Sequence, residues 1–145
     1  MVGFCDGACR VSNPGLAASS WVLYDDASKE YTSDAIVLPG LQTNNYAEYK
    51  GLIMLLGYLY NMKFKGVTIY SDSQLVVKQV NREWSANPPL NSYADTAYTL
   101  LVKGGHTLLH MRGHNKDERT YLHYGNDRAD ELCNLVLDQY QERNK

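Results

Sequence analysis

A chain of 145 residues with 44% hydrophobic and 21% charged side chains has the size and composition of one globular domain, here expected to span 1–145. Three cysteines (Cys5, Cys9, Cys133), with no leader-like segment at the start, point to reduced thiols in a cytoplasmic setting and away from a disulfide framework. No apolar run nears the ~20 residues of a membrane span, and a net charge of −2 disfavours broad polyanion binding unless cations are clustered or metal ions bring the positive charge.

In chain order, residues 2–5 read as an apolar strand ending at Asp6. Residues 19–25 and 30–38 read as two more strands, joined across the polar DDAS turn. A helix follows over 45–62, with Thr43 or Asn44 as its N-cap. VTIYS at 67–71 is a short β-branched strand, and 73–82 a helix opening near Ser73. NPP at 87–89 breaks the chain before a helix over 91–103, which stops at Gly104-Gly105. A last strand at 106–112, a polar loop at 113–125 and a final helix over 126–142, capped by Asn126 or Asp127, complete the pattern. The order βββαβααβα predicts a mixed sheet covered by helices, with any ligand at the carboxyl ends of the parallel strands. The opening methionine and the charged closing helix favour a free-standing protein.

Four acids depart from the usual habit of sitting in solvent. Asp6 and Asp72 each end an apolar strand, so parallel pairing would bring both carboxylates to one sheet edge. Glu48 heads the helical stripe Leu52, Leu55 and Leu59, and Asp130 heads Cys133, Leu137 and Tyr140. Singly, each has an ordinary explanation as a turn cap, a helix-dipole partner or a border to the core. Together they are a problem, because two unit charges ~4 Å apart repel by about 4 kcal/mol at an effective dielectric of 20. Such a cluster needs protons or cations, and all-oxygen ligands suit Mg²⁺ or Mn²⁺.

Five segments in one order, FCDGACRVSNPG, TNNYAEYKGL, YSDSQLVVKQVN, RGHN and GNDRADELCN, together resemble the type 1 ribonuclease H family over almost the whole chain. The resemblance implies the ribonuclease H fold, an α/β five-stranded mixed sheet of order 3-2-1-4-5 flanked by helices. It implies an endoribonuclease that hydrolyses the RNA strand of RNA–DNA hybrids by two-metal-ion cleavage, leaving 5′-phosphate and 3′-hydroxyl ends. Asp6, Glu48, Asp72 and Asp130 fall on the family's metal-binding acids, with Mg²⁺ the expected ion and Mn²⁺ a substitute. His114 falls on the loop histidine that assists proton transfer or product release. A histidine in a polar loop has a pKa suited to that task, and His123 is its rival. Gly7, Asn13, Asn44, Asn45, Ser73, Gln74 and Asn126 fall on positions assigned to substrate contact; Asn13, Asn44 and Gln74 also have plain readings as turn, cap and surface residues.

Arg10, Lys78, Arg82, Arg112 and Arg128 are candidates for phosphate contacts, each with a solvated surface role as the alternative. The chain departs from the family pattern in three places. NREWSANPPLNSYADTAY lacks the basic protrusion that many members use to grip the hybrid, the loop after His114 is long, and the CRVSNPG turn is one residue longer than the common form. A monomer acting on hybrid, without a membrane, is the expected setting. The competing readings are a non-catalytic hybrid-binding module and a DNA-acting nuclease of the same superfamily; the four retained acids disfavour the first, and the combination of motifs disfavours the second.

Overall fold

The computed structural model describes residues 1–112 and 121–144. The elements run β1 (Val2–Arg10), β2 (Leu16–Tyr24), β3 (Glu30–Val37), α1 (Asn44–Asn61), β4 (Thr68–Ser71), α2 (Gln74–Val80), α3 (Leu90–Gly104), β5 (Thr107–His110) and α4 (Tyr121–Arg143). The sheet order is β3-β2-β1-β4-β5, as the resemblance implied. Short turns make β1–β2 and β2–β3 antiparallel, whereas β1–β4 and β4–β5 are parallel and reached by helical crossovers.

Strand alternation sorts the core onto two faces. Cys5, Trp21 and Leu23 pack with Tyr49, Leu52, Leu55 and Leu59 of α1 and with Ala94, Ala97 and Leu101 of α3. On the opposite face, Phe4 and Val22 meet Ala129 and Leu132 of α4, and Ala18 meets Cys133 and Leu137. The stripe below Glu48 is therefore buried as expected. Below Asp130, Cys133 and Leu137 are buried but Tyr140 is exposed.

Two element boundaries differ from the sequence reading in ways that matter for the site. β1 does not end at Asp6. It runs on to Arg10, because Asp6 through Arg10 continue the ladder with β2, from Asp6↔Ser20 to Arg10↔Leu16. What ends at Cys5↔Ser71 is the pairing with β4. α4 begins at Tyr121, so Asn126 lies inside the helix and is not its N-cap. Gly125 misleads in the sequence as a loop residue. A Cβ there would stand 2.2 Å from the Phe4 ring, so glycine lets a continuous helix cross the sheet at close range.

Candidate active site

From Asp6 onward, β1 has lost β4 as a neighbour, and the sheet is open on that side. Three carboxylates meet at this edge. Asp6 comes from β1, Asp72 follows the last residue of β4, and Glu48 projects from the second turn of α1. One oxygen from each lies within 4.8 Å of the others. Asp6 and Glu48 are buried, at 4% and 6% exposure, and Asp72 is half-buried.

The local sequence builds this convergence. Thr43 caps α1 by accepting the Tyr46 N–H at 3.1 Å, which fixes where the helix starts and so where Glu48 points. Asn13 Oδ1 accepts the Asn44 N–H at 3.0 Å and ties the β1–β2 turn to the same helix start. Ser73 caps α2 by accepting the Val76 N–H at 3.2 Å, while its own N–H donates to Ser71 Oγ at 3.1 Å; Asp72 is held between these two anchors. The His110 Nε2–H donates to the Asp72 main-chain carbonyl at 3.2 Å. The contact requires β5 to lie beside β4, a pairing that alternation along one strand does not reveal.

Crowded acids in a buried place resist ionisation. Burial, then the charges of Asp72 and Asp130, push the Asp6 carboxyl up to about 8. Burial, then Asp6 and Asp72, raise Glu48 well above the usual carboxylate range. Burial and Asp130 raise Asp72. Asp130 itself is exposed on α4 and stands outside the three-carboxylate group, yet its charge is felt by two members of it. Glu48 Oε2 is buried without a hydrogen-bond partner among the described residues. A buried acceptor left unsatisfied is costly. An oxygen-lined cluster with such an orphan fits a hard divalent cation, which would satisfy the acceptor and cancel the repulsion.

Residues 4–114 match the family model described as reverse transcriptase-like. The chain is 36% identical over 141 residues to ribonuclease HI of Halobacterium salinarum, covering 93% of this chain and 63% of that relative's length. The crystal structure of ribonuclease H1 from the same archaeon superposes with a TM-score of 0.80 at 33% identity, covering 95% of this chain and 97% of that one. This chain belongs to the type 1 ribonuclease H family. A second ribonuclease H1 structure, LC11 in complex with an RNA/DNA hybrid, matches with a TM-score of 0.80 at 25% identity, covering 97% and 98% of the two chains.

Gly7 is buried against α1, and its backbone N–H works against burial by lowering the pKa of the Asp6 and Glu48 carboxyls. Asn44, Asn45, Ser73 and Gln74 begin α1 and α2 on either side of the carboxylates, with Gln74 exposed. Asn126 is buried in α4, one helical turn before Asp130. His114 lies outside the described residues, and His123 is in α4 and not in a loop. Most of the candidate phosphate-binding cations are engaged within the protein. Arg10 pairs with Asp138 at 2.7 Å, Lys78 with Glu83 at 3.2 Å and Arg82 with Asp95 at 2.8 Å, and Arg128 pairs with Glu30 at 2.9 Å and Glu131 at 2.8 Å. Arg112 is exposed and has no ion-pair partner among the described residues.

The raised carboxyls make a signed prediction for this ribonuclease H without metal. Asp6 holds its proton up to about 8 when folded but releases it near 3.8 when unfolded. Between those values the folded state binds more protons, so the contribution to stability is complete below the lower value and is lost as pH rises through the higher. In chelator, the melting temperature is expected to fall by about 5 °C or more across that window. Divalent cation should restore it, most strongly at the alkaline end where protons no longer compete. Melting curves over a pH series, with and without chelator, test this; a chelated protein that gains stability across the same range would contradict it.

Proposed function

We propose that this chain is an endoribonuclease that hydrolyses the RNA strand of RNA–DNA hybrids by two-metal-ion phosphodiester cleavage, leaving 5′-phosphate and 3′-hydroxyl ends. The observation that carries this reading is the meeting of Asp6, Glu48 and Asp72 within 4.8 Å, with a buried Glu48 oxygen unsatisfied, in a type 1 ribonuclease H chain. Asp6, Glu48 and Asp72 would hold the cation, Mg²⁺ by preference and Mn²⁺ as substitute, and Asp130 would complete the set from the exposed side. When bound, the cations supply Lewis-acid charge that activates the attacking water and stabilises the leaving oxygen.

The chain's own groups divide the remaining work. The Gly7 N–H favours the ionised forms of the Asp6 and Glu48 carboxyls, the forms a cation needs. The Asn13–Asn44 hydrogen bond holds the β1–β2 turn where it can flank the minor groove of a hybrid. Asn44, Asn45 and Gln74 are neutral donors and acceptors beside the carboxylates, suited to reading a 2′-hydroxyl without choosing a base sequence. Our assignment of proton transfer at the reacting oxygens is to His114.

The deciding experiment is digestion of RNA–DNA hybrid, RNA duplex and DNA duplex side by side with Mg²⁺, Mn²⁺ or chelator. Cleavage is expected of the RNA strand of the hybrid only, with a divalent ion only, and is expected to disappear in Asp72→Asn. Full activity in that variant, or cleavage of DNA duplex in place of hybrid, would overturn the reading.

Hybrid affinity should depend weakly on salt. For each phosphate neutralised on B-form duplex, log K falls by about 0.9 per tenfold rise in salt. With Arg10, Lys78, Arg82 and Arg128 already paired, the log–log slope is expected to be shallower than about −3. Binding of the Asp72→Asn protein across a salt series measures it, and a slope near −6 would show that those ion pairs open to grip the backbone.

A further inference from the structure

At the edge of the sheet away from the carboxylates, α1 and α3 both end beside a cavity of about 310 Å³. It is lined by Tyr60, Lys63, Phe64, Lys65, Gly104 and His106, among others. Its entrance is cationic. Lys63 and Lys65 are exposed on the segment after α1, and Lys103 sits in the last turn of α3 with its ammonium 5.9 Å from the centre of the Tyr60 ring. Among the described residues no carboxylate pairs with any of these three lysines, in contrast to Arg10, Lys78, Arg82 and Arg128.

Lysines at a helix C-terminus have an ordinary explanation, because that end carries about half a negative charge. The Lys65 ammonium does donate to the Lys103 carbonyl at 3.2 Å. The magnitudes do not balance, however. Two helix ends supply about −1 against three ammonium groups, leaving about +2 around the cavity. Near neutral pH a phosphate monoester carries about −1.5 to −2.

His106 adds a directed donor. Its Nδ1 accepts the Val67 N–H at 2.9 Å, so the neutral ring carries its hydrogen on Nε2. Burial, then the Lys65 charge, hold its pKa below the usual value, which keeps the ring neutral and this tautomer in place. Nε2 lies against Gly104, where a Cβ would stand only 2.0 Å from it, and both residues line the cavity. Tyr60, 55% exposed, and Phe64 give the same cavity aromatic surface.

We infer that this cavity is a second ligand site, one that takes a phosphate-bearing small molecule with its phosphate on Lys63, Lys65, Lys103 and His106 Nε2. Met62, at the cavity end of α1, is about 20 Å along the helix from Glu48 at 1.5 Å per residue, so occupancy would not compete with a substrate at the carboxylates. The phosphate could be inorganic or belong to a nucleotide whose base rests on Tyr60.

Titration of ADP, inorganic pyrophosphate and adenosine into the metal-chelated protein, followed by the NMR signals of His106, Tyr60 and their neighbours, tests the site. Saturable shifts with ADP and pyrophosphate, and weaker ones with adenosine, are expected. ADP binding more tightly than pyrophosphate, with the difference lost in Tyr60→Ala, would identify a nucleotide; equal binding would identify the inorganic ion. The Lys63→Glu/Lys65→Glu protein should bind either about tenfold more weakly or worse. Its hybrid cleavage should stay within about twofold of the unmodified protein, as befits exposed positions far from the carboxylates. Absence of saturable shifts at millimolar ADP and pyrophosphate, or unchanged affinity in the double variant, would overturn the proposal.

Discussion

Glu48→Gln is expected to abolish hybrid cleavage and, in chelator at alkaline pH, to raise the melting temperature. The two effects share one cause. Glutamine keeps the volume of the glutamic acid, so the packing above Leu52 is unchanged. What changes is charge: a buried acid, raised by its surroundings and then by Asp6 and Asp72, becomes a neutral amide. In the metal-free protein at alkaline pH, the raised acid opposes folding, because the unfolded chain ionises it freely and the folded chain does not. The amide removes the penalty, and its N–H can donate to Asp6, which then ionises beside one fewer negative neighbour. A gain of about 1–3 kcal/mol, or roughly 3–10 °C, is expected there. Below about pH 4 the gain should vanish, since the carboxyl is protonated in folded and unfolded chains alike. Saturating Mg²⁺ should reverse the ranking, because the variant has lost a ligand and gains less from the ion. Activity should fall by about 10³-fold or more, the scale of losing one electrostatic stabiliser of a transition state. A variant less stable than the parent in chelator at pH ~9 would show that the three acids are not held together against repulsion.

These effects were partly legible in the sequence, and the limits have physical causes. The strand-ending positions of Asp6 and Asp72 and the leucine stripe below Glu48 pointed to one shared edge because apolar periodicity reports which face is buried. Periodicity does not report where a ladder loses a neighbour. Asp6 was read as a strand end, whereas β1 continues and it is β4 that stops. The stripe and the family resemblance both group Asp130 with the others; α4 leaves it exposed, and it acts on Asp6 and Asp72 through its field. Gly125 and the polar residues around it read as loop because glycine in a helix is unfavourable on propensity. The compensating contact, the Phe4 ring, lies far away in sequence. Pairing of Arg10 with Asp138, or of Arg128 with Glu30, joins distant segments and leaves no local signature.

Gly7 shows what a single missing methyl group does for this site. A Cβ at that position would stand 2.3 Å from both the Ala47 carbonyl carbon and the Glu48 nitrogen, and 2.7 Å from the Ala47 oxygen. These are backbone atoms and cannot rotate away. From the other side, a Cβ at Gly51 would meet the Asp6 oxygen at 2.6 Å and the Ser20 oxygen at 3.0 Å. β1 and α1 thus touch backbone to backbone through a glycine on each partner, and the Ser19 hydroxyl, donating to the Ala47 carbonyl at 2.7 Å, fixes the same contact from β2. That closeness is what brings the Glu48 carboxyl to Asp6. Normal carbon contacts need about 3.5–4.0 Å, so Gly7→Ala must push α1 outward by about 1 Å or more. A loss of about 2–4 kcal/mol is expected, with activity of the remaining folded protein down about 100-fold, the scale of a 1 Å misplacement, and a smaller stabilisation by Mg²⁺. Gly57→Ala is the matched control on α1. A Cβ there meets nothing within 4 Å, so helix propensity alone should stabilise by about 0.5–1 kcal/mol with activity intact. Calorimetry and hybrid digestion of the two variants separate the cases. Gly7→Ala with parental melting temperature and activity would mean that the helix has room to move, and that the spacing of Asp6 and Glu48 is set by something other than this contact.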